Sequence, residues 1–429
     1  MQKRLKGTHT YFNKRTLLTR AESSATAMMM RSIVVLGVAI AVFPYLAAAY
    51  NETLCKQERS LWMDEYREFH RANRGAPGAR YLVYYCGPGQ NLCAGTGDRV
   101  RGMLYMLRVA AVHRMVFLAM WAHPANLTLF MDHNEIDWRP DGLPNDVLSA
   151  IGKEHNNFTD DAFRKAVQNG EDLGRFNETV RVHSDTIWPA SIVDHRIWGT
   201  NNLWPPEGYL TLLGPLGGVP AADKEQRWLR EYTWYIDISA CWWQFAFKPS
   251  AVVEARAKAN LESAYALQPG VPPPVFAAWH WRTGGQRGET GVIRQENKEF
   301  FRSRLQQLMA SINCGRALML QHAVSAPLLL VTDLNAFRKW VHNGAMGPSV
   351  TTLPSVAQHV DMGNAEQSAY IDVIADALVL SRAKCLLISQ SGFSNTALMM
   401  ARTEPLCFQH MDVCLRQQEG FFESVTVRR

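Results

Sequence analysis

Apolar positions are distributed along the chain in three ways. Ile33–Ala49 is an unbroken run of 17 uncharged residues. Beyond residue 80, short apolar runs alternate with longer amphipathic stretches. Between them, residues 139–230 are rich in Asn, Gly, Pro and charge and sustain no period, as expected of irregular loops and short helices around a binding face. Leu61–Asn73 has helical spacing and ends in the glycine- and proline-bearing Arg74–Arg80. Tyr81–Tyr85 reads as a strand, Cys86–Asp98 as a glycine-rich loop, Arg99–Arg114 as a helix and Met115–Trp121 as the next strand. This is a βαβ unit with its glycine loop at the carboxyl end of the first strand. Tyr232–Lys248 is aromatic and mostly apolar, and is expected to be a packed strand forming a wall between domains.

Pro249-Ser250 opens a helix to about Leu267, and Gln268–Pro274 is a hinge. Strands are then predicted at Val275–Arg282, Pro327–Asp333, Val350–Pro354, Cys385–Ser389 and Pro405–Gln409. Helices are predicted at Gln295–Ile312, Leu334–His342, Glu366–Arg382 and Ser394–Ala401. Such alternation implies a parallel sheet covered on both faces. Two such units give an α/β chain of two Rossmann-like lobes facing across a cleft. The expected organisation is a tail at 1–32, a membrane segment at 33–50, a short stem at 51–79, an N-terminal lobe at 80–248 and a C-terminal lobe at 249–429.

Charge decides the meaning of the first segment. The 429 residues carry 45 Lys and Arg against 39 Asp and Glu, a formal net of +6. Residues 1–32 hold seven of the basic residues and one acid, leaving 38 of each sign in the remainder. The body is therefore neutral, and a nucleic-acid partner is not expected. A basic preface before a run just long enough to span a ~30 Å hydrocarbon core predicts a single-pass signal anchor, with the tail cytosolic and the body lumenal. The rival is a signal peptide cleaved after Ala47-Ala48-Ala49. All eight cysteines follow the run, none in a C-x-x-C pair, which suits disulfides rather than zinc. Four N-x-[ST] sequons, at Asn51, Asn126, Asn157 and Asn177, fit the same compartment.

Open parallel sheets bind ligands beyond the carboxyl ends of their strands. In the second lobe those ends are His280-Trp281-Arg282, Thr332-Asp333 and the run from Ser389 to Ser394. A guanidinium, glycines, hydroxyls and a helix N-terminus converging on one edge form an anion site. The chain has no G-x-x-x-x-G-K-[ST], Gly95–Gly102 does not follow G-x-G-x-x-G, and there is no D-x-D for a diphosphate-bound metal. P-loop and dinucleotide chemistry are therefore disfavoured, and no metal or other cofactor is expected. Ser391 in S-Q-S-G-F is not a G-x-S-x-G nucleophile.

These motifs resemble a family. Gly95-T-G-D-R, His280-W-Arg282 and the segment from Asp376 through Ser391-GF-Ser394 are similar to three motifs of the inverting fucosyltransferases (the α1,2, α1,6 and protein O-fucosyltransferase group). Cys241-WWQFAF-Lys248-P-S is similar to their connecting segment. The resemblance spans roughly residues 80–410 and implies a GT-B fold with GDP-fucose as donor. Carried over by position, it implies that Arg282 binds the β-phosphate while His280 and Asp376 contact the nucleoside. Ser391, Gly392, Phe393 and Ser394, with Gly95 and Gly97, would hold phosphate and fucose. Asp98 stands near the acceptor, and Glu289 answers to a family glutamate only with a one-residue shift. The implied activity is transfer of L-fucose to a hydroxyl of a glycan or glycoprotein in the Golgi or endoplasmic reticulum. Another nucleotide sugar on the same fold, or an inactive glycan-binding relative, are the alternatives.

Overall fold

The computed structural model describes residues 52–87, 95–123, 125–154, 180–183, 236–282, 298–357, 367–389, 391–401, 407–411 and 414. The expected tail, the apolar run at 33–50 and the loop carrying Glu289 lie outside them. The chain divides into two compact units, Met1–Leu46 and Ala47–Arg429, and every described residue belongs to the second. Among the described residues no helix is long and apolar enough to cross a membrane.

Two parallel sheets organise the body. The first has the order β2-β1-β4, with β1 Tyr81–Cys86 between β2 Val116–Trp121 and β4 Val180–His183. Helix α3, Thr96–Val112, makes the crossover from β1 to β2, and α4, Asn145–Glu154, packs on the opposite face. The central strand is apolar on both faces because helices cover both sides, and Leu82, Val83 and Tyr84 are buried. Each such side chain taken from water stabilises the fold by ~1.5–3 kcal/mol before entropy is counted.

The second sheet comprises β6 Ala277–Trp281, β7 Leu328–Thr332, β8 Val350–Thr352, β9 Cys385–Ile388 and β10 Cys407–His410. Their spatial order is β10-β9-β6-β7-β8, all parallel. Counted from β6 this is 3-2-1-4-5, the doubly wound order whose direction reverses between the first and fourth strands. The helices are α6 Ala251–Ala264, α7 Lys298–Gln321, α8 Asn335–His342, α9 Gln367–Ser381 and α10 Gly392–Met400. Ser250 caps α6, its hydroxyl accepting from the Val253 amide at 3.4 Å. A two-stranded antiparallel ribbon joins β3 Met131–His133 to β5 Phe247–Pro249.

Two expectations are corrected. Residues 236–246 form a helix, α5, and not a strand. Its Trp242, Trp243 and Phe245 are all nearly fully buried. A helix enclosed on every side has no polar face, so its sequence carries no 3.6 period. The segment expected as a stem is part of the core. Helices α1 Glu52–Glu58 and α2 Asp64–Asn73 are joined by a π turn at Arg59–Met63 and bury Trp62, Met63, Tyr66 and His70. Glu58 is their anchor, its carboxylate accepting from the Trp62 and Trp242 indoles at 2.7 and 2.8 Å.

Disulfides join Cys55–Cys241, Cys314–Cys414 and Cys385–Cys407, and Cys86 is disulfide-bonded as well. The first ties α1 to α5 across 186 residues. Closing loops of 100 residues or more removes ~4–5 kcal/mol of unfolded-chain entropy each.

Candidate functional site: the rim at the strand-order reversal

β6 and β9 are adjacent, with His280 paired to Ile388. Beyond their carboxyl ends the two chains remain tied. The Ser389 amide donates to the His280 carbonyl at 3.1 Å, and the Arg282 amide donates to the Ser389 hydroxyl at 2.9 Å. The base of the Arg282 side chain is thereby fixed to the loop that opens α10. Its guanidinium lies over the carboxyl end of β7, with Nη1 3.5 Å from the Asp333 carboxylate. The site therefore opens at the crevice where the sheet reverses direction, the usual ligand position of such sheets.

His280 is buried behind this rim. Its Nδ1 lies 2.6 Å from the Ser394 hydroxyl, which itself donates to the Ser389 carbonyl at 3.1 Å. With that hydroxyl proton committed, Nδ1–H supplies the short contact and Nε2 is left as an acceptor. Burial first, with Arg282 and Arg338 adding to it, lowers the His280 pKa to about 3 against the opposing pull of Asp333. The imidazole is neutral at physiological pH. Its ring lies 5.0 Å from that of Phe393, centroid to centroid.

The N-terminus of α10 starts at this point. Ser391 is its cap, the hydroxyl accepting from the Phe393 amide at 3.2 Å. Ser391, Gly392 and Phe393 are partly exposed, whereas Ser394 is fully buried. The start of α3 meets it from the other lobe. A β-carbon added to Gly97 would fall 2.2 Å from the Gly392 carbonyl carbon and 2.4 Å from its oxygen. One added to Gly392 would reach the Gly97 Cα at 3.2 Å. Two helix N-termini thus touch backbone to backbone, and Gly97 is required because nothing larger fits. Each brings the positive end of a helix dipole, of order half an elementary charge.

Gly95 caps α3, and Asp98, the acid in its first turn, forms an ion pair with Arg101. The Asp98 side chain is more than one-third exposed. Arg99, behind it, is buried, donating to the His123 carbonyl at 2.6 Å with its guanidinium 4.5 Å above the Trp121 ring. That contact fixes the first turn of α3 to the end of β2.

The structure brings Gly95, Gly97, Asp98, Arg282, Ser391, Gly392 and Phe393 to one rim, with His280 and Ser394 buried behind it. Asp376 is placed differently. It is 3 % exposed, with Oδ2 2.8 Å from the Arg338 guanidinium and Oδ1 accepting from Ser355 at 2.7 Å and Asn260 at 3.4 Å. Its oxygens are occupied within the protein, so the expected contact with guanine would need one of these partners displaced. Arg338 also donates to the Thr332 carbonyl at 2.6 Å and to the Ser355 carbonyl at 3.1 Å. Asp376 therefore acts as the buried counterion of the residue that holds the carboxyl end of β7. Sequence reasoning missed Arg338, whose only visible signal is a charge on the apolar face of a short helix. Glu289 lies outside the described residues.

No protein-family model matches the sequence, and no curated protein matches it. Among solved structures the chain is similar to an Arabidopsis thaliana FUT1 variant in complex with GDP, at 12 % identity over 79 % of this chain and 76 % of that one, with a TM-score of 0.43. It is similar to NodZ α-1,6-fucosyltransferase crystallised with GDP, at 13 % identity over 74 % and 91 %, with a TM-score of 0.38. It is also similar to POFUT1 in complex with GDP-fucose, at 10 % identity over 78 % and 99 %, with a TM-score of 0.41.

Proposed function

We propose that the chain is an inverting, metal-independent fucosyltransferase of GT-B architecture that moves L-fucose from GDP-fucose to a hydroxyl of a glycan or glycoprotein in the secretory pathway. The observation that carries this reading is the meeting of two helix N-termini at Gly97 and Gly392, with the Arg282 backbone hydrogen-bonded to the loop that opens α10. Such a junction concentrates positive potential without a metal, where a diphosphate would lie. Fucose as the sugar and guanine as the base rest on the sequence motifs.

In the proposed reaction the acceptor oxygen attacks fucose C1 from the face opposite GDP. The new C–O bond forms as the bond to the β-phosphate breaks, and inversion follows from the single displacement. The leaving group gains negative charge as it departs. Arg282 and the first-turn dipole of α10 are already in place to stabilise that charge, so no reorganisation is needed at the moment of reaction. His280, neutral and held by Ser394, presents Nε2 as an acceptor to the nucleoside or to a donor hydroxyl. The acceptor proton passes to a carboxylate or to water. Asp98 sits at the junction and Glu289 is the second candidate for this role. The Asp98 carboxylate is engaged by Arg101, which is the feature that favours the alternative of an inactive glycan-binding relative. The alternative of another nucleotide sugar is decided by the base.

The experiment is incubation of the purified protein with labelled GDP-fucose, other nucleotide sugars and an acceptor panel in chelator. Release of GDP with transfer from GDP-fucose alone supports the proposal. Turnover only with added metal, or only with a uridine donor, refutes it.

A further inference from the structure

The turn after β2 exposes a side-chain amide that the candidate site does not use. Leu127–Leu129 is a single 3-10 turn, and Asn126 caps it. With three residues per turn, Leu127 and Phe130 fall on one face, and both are 1 % exposed. Asn126 and Thr128, off that face, are exposed to water. Asn126 Oδ1 accepts from the Thr128 amide at 3.2 Å and from the Thr128 hydroxyl at 3.1 Å. Both bonds end on the oxygen, and among the described residues Nδ2 has no partner. Ser250, the cap of α6, holds the turn from inside. Its amide donates to the Phe130 carbonyl at 3.1 Å and its hydroxyl to the Leu129 carbonyl at 3.0 Å. The backbone is thus fixed while the Asn126 amide nitrogen stays free and outside. Asn126-Leu127-Thr128 is an N-x-[ST] sequon, and the other three, at Asn51, Asn157 and Asn177, lie outside the described residues.

We propose, resting on the lumenal location in the proposed function, that Asn126 carries an N-linked glycan taken from a lipid-diphosphate-linked oligosaccharide. Asn126 Nδ2 attacks the anomeric carbon of the first sugar. The C–N bond forms as the bond from that carbon to the diphosphate oxygen breaks. The lipid diphosphate leaves with the electron pair, and one of the two Nδ2 protons passes to a base of the transferring enzyme. Transfer takes place on the extended chain, and the folded structure then decides whether the sugar can be kept. Substitution at Nδ2 leaves Oδ1 able to accept from Thr128, so the cap survives the modification. A bulky, hydrated chain on an exposed amide displaces no core side chain. The glycan therefore stands on the solvent side of the turn that packs on the start of α6.

The test is the full-length protein produced in a eukaryotic secretory host, treated with peptide N-glycosidase in heavy-oxygen water and analysed by mass spectrometry. Release of a glycan converts its asparagine to an aspartate bearing heavy oxygen, so each occupied position is marked. The expected result is a mark at position 126. Thr128→Ala, which keeps the backbone cap, loses the mark together with one step of electrophoretic mobility, whereas Thr128→Ser keeps both. Far-ultraviolet circular dichroism checks that each variant is folded. Marks at Asn157 or Asn177 with none at Asn126 overturn the proposal and leave the lumenal location standing. No mark at any of the four sequons overturns both. A mark at Asn126 that survives Thr128→Ala also overturns the proposal, because it then arises from deamidation during handling.

Discussion

Replacing Gly97 with alanine should separate the two lobes at the rim. In an exposed helix, Gly→Ala would stabilise by ~1 kcal/mol, because alanine loses less backbone entropy. At Gly97 the new methyl would stand 2.2 Å from the Gly392 carbonyl carbon, where ordinary van der Waals contact begins at 3.4 Å. The obstruction is backbone, which cannot rotate away, so the helix ends must part by about 1.2 Å. Overpacking of this kind costs ~1–3 kcal/mol, enough to cancel or reverse the propensity gain. Misplacing reacting groups by about 1 Å costs ~10²-fold in rate. Gly392→Ala is the internal control, since its methyl meets a neighbour at 3.2 Å and needs an adjustment of only a few tenths of an ångström. Single-turnover transfer from GDP-fucose, with melting temperatures for each variant, measures both effects. Gly97→Ala is expected to lose ~10²-fold in turnover without gaining stability, and Gly392→Ala to lose less than about tenfold. A Gly97→Ala protein that is more stable and fully active would refute the backbone contact and the junction built on it.

Arg282→Ala should lower turnover ~10²–10³-fold with an unchanged melting temperature, since it removes one preorganised donor from a partly exposed rim; steady-state kinetics with thermal scanning decide this. Asp376→Ala should destabilise the protein by ~3–5 kcal/mol by stranding the buried Arg338, read from urea denaturation; a shift below 1 kcal/mol would place the ion pair in solvent. The His280 and His70 pKa values, near 3 and 4 when folded, lie below the ordinary 6.5, both lowered chiefly by burial. Between those values the unfolded chain binds more protons, so each histidine contributes stability that is complete above pH ~6.5 and fades as pH falls toward 3 to 4. Asp237 works in the opposite sense, because burial raises its pKa to about 8. His280→Gln should therefore reduce the acid-side slope of stability by ~1.4 kcal/mol per pH unit, and an unchanged slope would mean that the imidazole is solvated.

The strand–helix alternation of the C-terminal lobe was readable because each element is short, amphipathic or capped. Pro249-Ser250 marked the start of α6, and the apolar runs of β6, β7 and β9 ended at the residues that line the rim. What sequence could not supply was distance between remote positions. The contact of Gly97 with Gly392 joins residues 295 positions apart, and neither glycine-bearing motif contains the other's location. Asp376 lay within a motif that suggested a nucleoside contact, yet its partners come from α6, α8 and the turn after β8. The period of helix α5 is erased by burial on all sides, and α1–α2 read as a stem because the partners that bury them are far along the chain: Trp242 and Phe245 for Trp62, Met115 and Phe117 for Tyr66.

The central claim is that Arg282 and the paired helix N-termini receive a pyrophosphate. Calorimetric titration of GDP and of guanosine into wild type and Arg282→Ala tests it directly. The account predicts that wild type binds GDP much more tightly than guanosine, and that most of this advantage disappears in Arg282→Ala while guanosine affinity is retained. Equal affinities for the two ligands, or an advantage that survives the loss of Arg282, would contradict it.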